Sequence, residues 1–225
     1  TGAGAERSVM VNKQSNNDFV PVVYGSRRVG GTRAFVGTSN GSGGSGTNNL
    51  NMAIAICEGQ MGDIKQLYFN DTVVWDADQS GTTTGSDTNG YTLANFESTK
   101  YASYINAQYF KGTADQAVSS LLQGSIGSST WTNDHRLRGV AYIALKLPFN
   151  ATAYEGGVPT VTVVLDGKRI EDVSNLGSYV NSSNQNHADV LYDYLRTYKG
   201  LAQSDIDTDS FASAKTYCAT RYEIN

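Results

Sequence analysis

The chain has 225 residues, 39% of them hydrophobic and 17% charged, with a formal net charge of −4. That composition suits a soluble globular chain of one or two domains, long enough to bury a sizeable core. The acidic balance argues against nucleic acid or an anionic membrane surface as the main partner, and no apolar run reaches the roughly 18 residues that a bilayer-spanning helix needs.

The opening TGAGAERS carries neither an initiator Met nor a hydrophobic leader, so the chain reads as an excerpt of a longer protein. Residues 19–31, FVPVVYGSRRVGG, form a strand-like apolar run broken by Gly25 and closed by Gly30 and Gly31, with Pro21 marking an edge or a strand start. The basic residues Arg27, Arg28 and Arg33 either contact phosphate or an acidic partner or form an ordinary solvated turn. Residues 37–49 are low in complexity and read as a mobile hairpin tip between Thr32 to Val36 and Leu50 to Cys57. Gly37, Ser39 and Gly41 match G-x-S-x-G to the letter, but a nucleophile elbow needs a helix after the turn to lift its hydroxyl, and more glycines follow instead. A phosphate loop is ruled out by the missing Lys-Ser/Thr ending.

Met52, Ile54 and Ile56 alternate with alanines, and beyond a Glu58-Gly59 turn Ile64, Leu67 and Phe69 continue the strand pattern to an Asn70-Asp71 turn that returns through Val73, Val74 and Trp75. This is the pattern of a meander. Residues 78–90 read as a second mobile polar loop. Tyr101, Ile105, Tyr109 and Phe110 suggest a strand, and Thr113 is placed to cap a short helix carrying Ala117, Val118, Leu121 and Leu122. Leu137 to Leu147 is a core strand. Val161, Val163 and Leu165 share a face of the next strand, with Asp166-Gly167 as a two-residue hairpin turn.

The tail predicts two short amphipathic helices. In the first, Ala188, Leu191 and Leu195 recur at helical spacing, widened by Val190, Tyr194 and Tyr198. Asn184 or Asn186 caps its start and Gly200 suits the left-handed residue after its end. In the second, Phe211, Ala214, Cys218 and Tyr222 form a stripe expected to pack on the strands, after the capping candidates Asp205, Asp207 and Asp209.

Residues able to carry chemistry are few. His135 sits in a polar turn and His187 at a helix start, without ligand-type neighbours at metal spacing. The Asp205, Asp207, Asp209 run lacks the Gly and the bidentate Glu of a calcium loop, with Ser210 and Thr216 in those places, so helix capping accounts for it. Asp189 and Asp193 stand at i and i+4, where a solvated or interface-facing side is the default and an acid/base pair needs a pocket that splits their ionisation. Cys57 and Cys218 both fall in apolar patterns that favour buried free thiols over a bridge. The 14 tyrosines suit surfaces that are partly apolar and partly wet, for subunit contact or saccharide stacking. Neither a cofactor nor a metal is called for.

The order Asn186, Ala188, Leu191, Asp193, Tyr194, Leu195, Tyr198, Gly200, Leu201, Asp209, Phe211, Tyr217 and Cys218 resembles the hub region of the tail tip attachment (host specificity, J-type) family of long-tailed phages. Two departures stand out: His187 occupies a place where many relatives have Pro, and Lys199 interrupts a Tyr-Gly pair. Four earlier blocks are similar to the same family in order and spacing. They are the Pro-Val-Val-Tyr-Gly segment with its basic turn, the strands around Glu58-Gly59 and Asn70-Asp71, the run LRGVAYIALKL, and VPTVTVVLDGKRIEDV. The likeness covers most of residues 19–222.

The expected fold class is therefore α+β: a mostly antiparallel β body over 1–176, with mobile loops at 37–49 and 78–90, and a C-terminal helical hairpin over 177–225 packed on it. What the resemblance implies is a non-enzymatic virion protein. It would form a homotrimeric hub at the distal end of the tail tube, against tail tip ring proteins and the tape measure protein, with Arg27, Arg28, Arg33, Asp189 and Asp193 as candidate interface residues. Two rivals remain: a carbohydrate-binding β-sandwich using Trp75, Trp131 and the tyrosines, and a hydrolase using Asp189, Asp193 or Glu155.

Overall fold

The computed structural model describes residues 19–40, 48–180 and 185–219. The fold is α+β and mostly antiparallel. One sheet has the order β1-β10-β4-β5, formed by β1 (Ser26–Val29), β10 (Val161–Asp166), β4 (Ile64–Phe69) and β5 (Thr72–Asp76). The other has six strands in the order β2-β3-β9-β8-β7-β6, formed by β2 (Thr32–Asn40), β3 (Asn48–Glu58), β9 (Val140–Pro148), β8 (Asn106–Lys111), β7 (Gly90–Ala94) and β6 (Thr82–Ser86). Strand side chains alternate between faces, so each sheet turns one apolar set toward the other. Met52, Ile54, Ile143 and Leu145 from the larger sheet meet Leu67, Phe69, Val163 and Leu165 from the smaller one in the main core.

The opposite face of the larger sheet is covered too. Ala53, Tyr142, Ala144 and Phe110 point there, beneath Leu122 of α1 (Ser120–Ile126) and Trp131. This explains the Met-Ala-Ile-Ala-Ile alternation of β3: large residues fill the intersheet core, and alanines leave room for the helix. A register shift between Ala55 and Cys57 then turns both Ile56 and Cys57 into the main core.

Several connections differ from the sequence expectation. The run 19–24 is not a strand; β1 begins after Gly25, although Pro21 and Val23 still accept backbone hydrogen bonds from Glu58 and Lys168. Strands β3 and β4 lie in different sheets, so the Glu58-Gly59 turn is a crossover and not a hairpin. Of the expected 37–49 loop, 37–40 and 48–49 are paired strand, and 41–47 lies outside the described residues. The expected loop at 78–90 is largely a hairpin, β6 paired with β7. Nor does Asp166-Gly167 close a hairpin, since β11 (Ile170–Glu171) pairs with β12 (Tyr179–Val180).

Helix α1 starts later than predicted because Ser119 caps it, its hydroxyl accepting from the Leu122 amide at 3.3 Å, while Thr113 to Gln116 stay in a turn. The fully buried Gln116 side chain holds that turn. Its amide nitrogen donates to the carbonyls of Arg136, Leu137 and Val140, and its oxygen accepts from the Gly112 amide.

Two helices follow, α2 (His187–Thr197) and α3 (Thr208–Ala219). Asn186 caps α2 in a capping box with Asp189, and Gly200 takes the left-handed conformation just after it, φ 70°. Asn184 lies outside the described residues. Asp207 accepts from the Ser210 amide at 3.1 Å and so caps the start of α3, whereas Asp205 accepts from the Ala202 amide at 2.9 Å and closes the short turn before it. Val173, Ala188, Tyr192 and Ile206 form a small core of their own, joined by Leu195 and Phe211.

Candidate assembly interface

The helical pair is fastened to the strands by a polar seam. Lys168, just past β10, donates to both carboxylate oxygens of Asp193 on α2 at 3.0 and 2.8 Å, and the Tyr24 hydroxyl donates to the same carboxylate at 2.6 Å. Each side chain of the Lys168–Asp193 pair is only 11% exposed. Burial, with the adjacent Asp193 carboxylate, drives the Tyr24 phenol far above its ordinary value, so it remains a donor at all working pH. Gln185 accepts from the Gly25 amide at 2.8 Å and donates to the Lys168 carbonyl, while the Tyr198 hydroxyl reaches Glu58 at 3.4 Å.

A second knot closes the helical pair on itself. Lys215 of α3 contacts Asp172 at 2.6 Å and Asp189 at 3.1 Å, and Asp189 also accepts from the Val173 amide at 3.0 Å. The hydrogen bond from Lys215 holds the Asp172 carboxyl below its usual range. Burial pushes the Lys215 ammonium down, but hydrogen bonds to the two carboxylates outweigh it and the net shift is upward.

These contacts revise the expected interface residues. Asp189 is fully buried and neither solvated nor outward-facing, because its carboxylate serves the cap, a loop amide and Lys215 at once. Asp193 is likewise spent inside the chain. Both residues sit in a seam, but it is an intramolecular one.

The arginines do not act as a cluster. Arg28 lies over the Tyr68 ring, 3.9 Å from its centroid, and donates to Thr162 and to the Asn70 carbonyl, both at 2.8 Å. Arg33 is half-buried, its Nε without a hydrogen-bond partner among the described residues. Of the three only Arg27 is exposed, and among the described residues its hydrogen bond goes to the neighbouring Ser26 carbonyl at 3.4 Å. His187 opens α2, and His135 stacks on Trp131 in its turn, ring centroids 4.9 Å apart. Ser39 of the G-x-S-x-G match lies on a strand, its hydroxyl against Ser125, Asn49 and Asn51, without a basic partner among the described residues.

What the periodicity placed wrongly is the buried face of α2. Ala188, Tyr192 and Leu195 face the small core, whereas Leu191 is 50% exposed and Tyr194 41% exposed. On α3, Ala214 and Cys218 are exposed and the helix has no buried residue, so the expected stripe does not pack on the strands. Phe211 is the exception. It meets Tyr192 edge-on at 6.0 Å, on α2 and not on the β body, and Tyr222 lies outside the described residues. Both cysteines are free: Cys57 is buried as expected, and Cys218 is exposed, contrary to expectation.

The helical pair leaves Leu191, Tyr194, Leu201 and the 66% exposed Tyr217 partly or largely uncovered. A second apolar region is a groove of about 400 Å³ at the ends of β3 and β9, where Leu50, Leu147 and Tyr154 meet the exposed Phe149 and Val158. Strand β2 forms a nine-residue edge of the larger sheet, with Ala34, Val36 and Thr38 exposed along it.

No family model and no curated protein matches this sequence. Among solved structures, the chain is similar to a chain of the virion of a native gene transfer agent particle, with 15% identity and a TM-score of 0.46. The match covers 99% of this chain and 40% of that one, so the chain spans less than half the length of the protein it resembles. A likeness of that size bears on neither activity nor partners.

Proposed function

We propose that this chain is a structural protomer of a virion, part of the central hub that closes the distal tail tube of a long-tailed phage and supports host attachment and genome delivery. The observation that carries the reading is the two-sided apolar character of α2. A helix that packs Ala188, Tyr192 and Leu195 inward and still leaves Leu191 and Tyr194 half-exposed offers apolar surface for a neighbour to cover. The long edge strand β2 offers a further surface of the kind that neighbouring chains extend. The five sequence blocks that resemble tail hubs are what point to this particular assembly.

In this reading three copies close a ring, and closed symmetry turns many modest contacts into a permanent one. Tail tip ring proteins and the tape measure protein are the neighbours, and subunit movement opens the lumen without any catalytic step. A photoreactive amino acid placed at Tyr194 tests this in assembled particles. Cross-links to a second copy or to a tail protein are expected; a helix that stays solvent-exposed and uncross-linked in the particle refutes the interface.

A further inference from the structure

We propose that the cleft between the two sheets, at the open end of β7 and β8, is a binding site for a neutral saccharide residue. The cleft is about 410 Å³ in volume, within the range that holds small ligands. Its lining includes Asp63, Lys65, Thr83, Tyr91, Tyr109 and Lys111.

The polar groups are held in place before any ligand arrives. Lys111 is held, partly buried, between two half-exposed carboxylates, Asp63 at 2.9 Å and Asp87 at 3.2 Å, and each carboxylate also accepts from a tyrosine hydroxyl, Tyr109 at 2.9 Å and Tyr91 at 2.7 Å. All four contacts use the Oδ1 atoms. Among the described residues, nothing engages Oδ2 of Asp63, which remains an acceptor at the cleft. Lys65 supplies an exposed ammonium with Asp166 at 3.3 Å, and the exposed Thr83 hydroxyl can both donate and accept.

The aromatic wall is equally specific. Tyr91 stacks on Tyr109, centroids 5.1 Å apart, which fixes the ring. Its register partner on the edge strand is Gly85, which places no side chain beside the ring on that side. The negative face of a phenol ring attracts the polarised C–H groups of a pyranose, while the surrounding acceptor, ammoniums and hydroxyl suit its hydroxyls.

Charge selects the ligand class. Three carboxylates, Asp63, Asp87 and Asp166, are balanced by the ammoniums of Lys65 and Lys111 and by the guanidinium of Arg169, whose charge acts on Asp87. With the charges already paired among themselves, an anion must compete with the carboxylates for the ammoniums, and a cation must compete with Lys111 for Asp63. A polyhydroxylated neutral ring needs no counter-charge and uses donors and acceptors together. This inference is independent of the assembly reading, since the cleft lies within one chain.

The test is a titration of the protein with glucose, galactose and N-acetylglucosamine at millimolar concentrations, followed by NMR, with glycerol as a polyol control and sialic acid as an anionic one. At least one neutral sugar is expected to shift resonances around Tyr91, Lys111 and Thr83 more than either control. Thr83→Tyr, on an exposed edge strand, crowds the cleft without touching the core and should weaken that binding about tenfold or more with an unchanged far-UV spectrum. Tyr91→Ala should do the same. Shifts for no neutral sugar, shifts elsewhere, a stronger response to sialic acid, or binding unaffected by Thr83→Tyr would overturn the proposal.

Discussion

Replacing Asp193 by Ala should loosen the helical pair from the strands more than any other single change in the seam. The carboxylate accepts from Lys168 at 3.0 and 2.8 Å, from Tyr24 at 2.6 Å and from Thr197 at 3.2 Å. Alanine leaves the Lys168 ammonium and the Tyr24 hydroxyl unpaired at a site where the ion pair is 11% exposed on each side. Breaking such a pair from one side costs roughly 3–5 kcal/mol when it is buried. The residual exposure points to the lower end, about 3 kcal/mol, or roughly two orders of magnitude in an opening equilibrium. Because the helices have a separate core, the loss should be local. In hydrogen exchange, α2 should lose protection by that factor while β3 and β9 hold theirs. The double change Lys168→Met with Asp193→Leu removes both charges and should recover most of the loss. A cost below about 0.5 kcal/mol for Asp193→Ala, or a double variant worse than the single one, would refute the reasoning.

Three further outcomes follow from the same structure. Gly31, φ 65°, carries the chain from one sheet to the other, and a Cβ there would lie 2.4 Å from the Ala55 carbonyl oxygen. Gly31→Ala should thus lower stability by more than about 1 kcal/mol in urea unfolding, and a neutral effect would show that this crossing is not held as described. Native thiol titration should label Cys218 rapidly and Cys57 only on unfolding, since Cys57 is buried and burial pushes its thiol up; two fast thiols would contradict this. The pH profile of stability should fall on both sides. Asp172, lowered chiefly by the Lys215 hydrogen bond, and Asp87, lowered chiefly by the Tyr91 hydrogen bond, contribute above their unfolded value of 3.8 and lose that contribution as pH falls through their lower folded values. Lys215 and Lys111 are raised, so their contribution is complete below 10.5 and lost as pH rises beyond it. A thermal midpoint still rising below pH 3.8 would be the wrong sign.

The strands with large apolar side chains on alternate positions were legible because the sheets bury them. β3, β4, β5, β9 and β10 follow from Met52 to Ile56, Ile64 to Phe69, Val73 to Trp75, Ala141 to Leu147 and Val161 to Leu165. Strand β6 was not, because TTTGS lies exposed at a sheet edge and its pairing leaves no apolar alternation. Sheet membership was also hidden: a crossover at Glu58-Gly59 and a hairpin there use the same residue types, and only long-range packing separates them. Helical spacing found α2 and its caps but misjudged its direction. Leu191 and Leu195 fit one stripe and Ala188 and Tyr192 another, and the small core settles on Tyr192 with Leu195. Of the candidate site, Asp193 was named without its partners, since Tyr24 and Lys168 are distant in sequence. The sheet-end cleft left no contiguous signal either, its residues being spread from Asp63 to Lys111 over several strands.

The central claim is that this chain works by being built into a virion, with the outer side of α2 covered by a neighbour. A reconstruction of intact particles, with this chain located by a small fused tag, measures that directly. Three copies around the axis at the distal end of the tail tube, with Leu191 and Tyr194 buried between subunits, is the predicted result. A particle that lacks the chain there, or one in which that helix surface faces open solvent, would contradict the account.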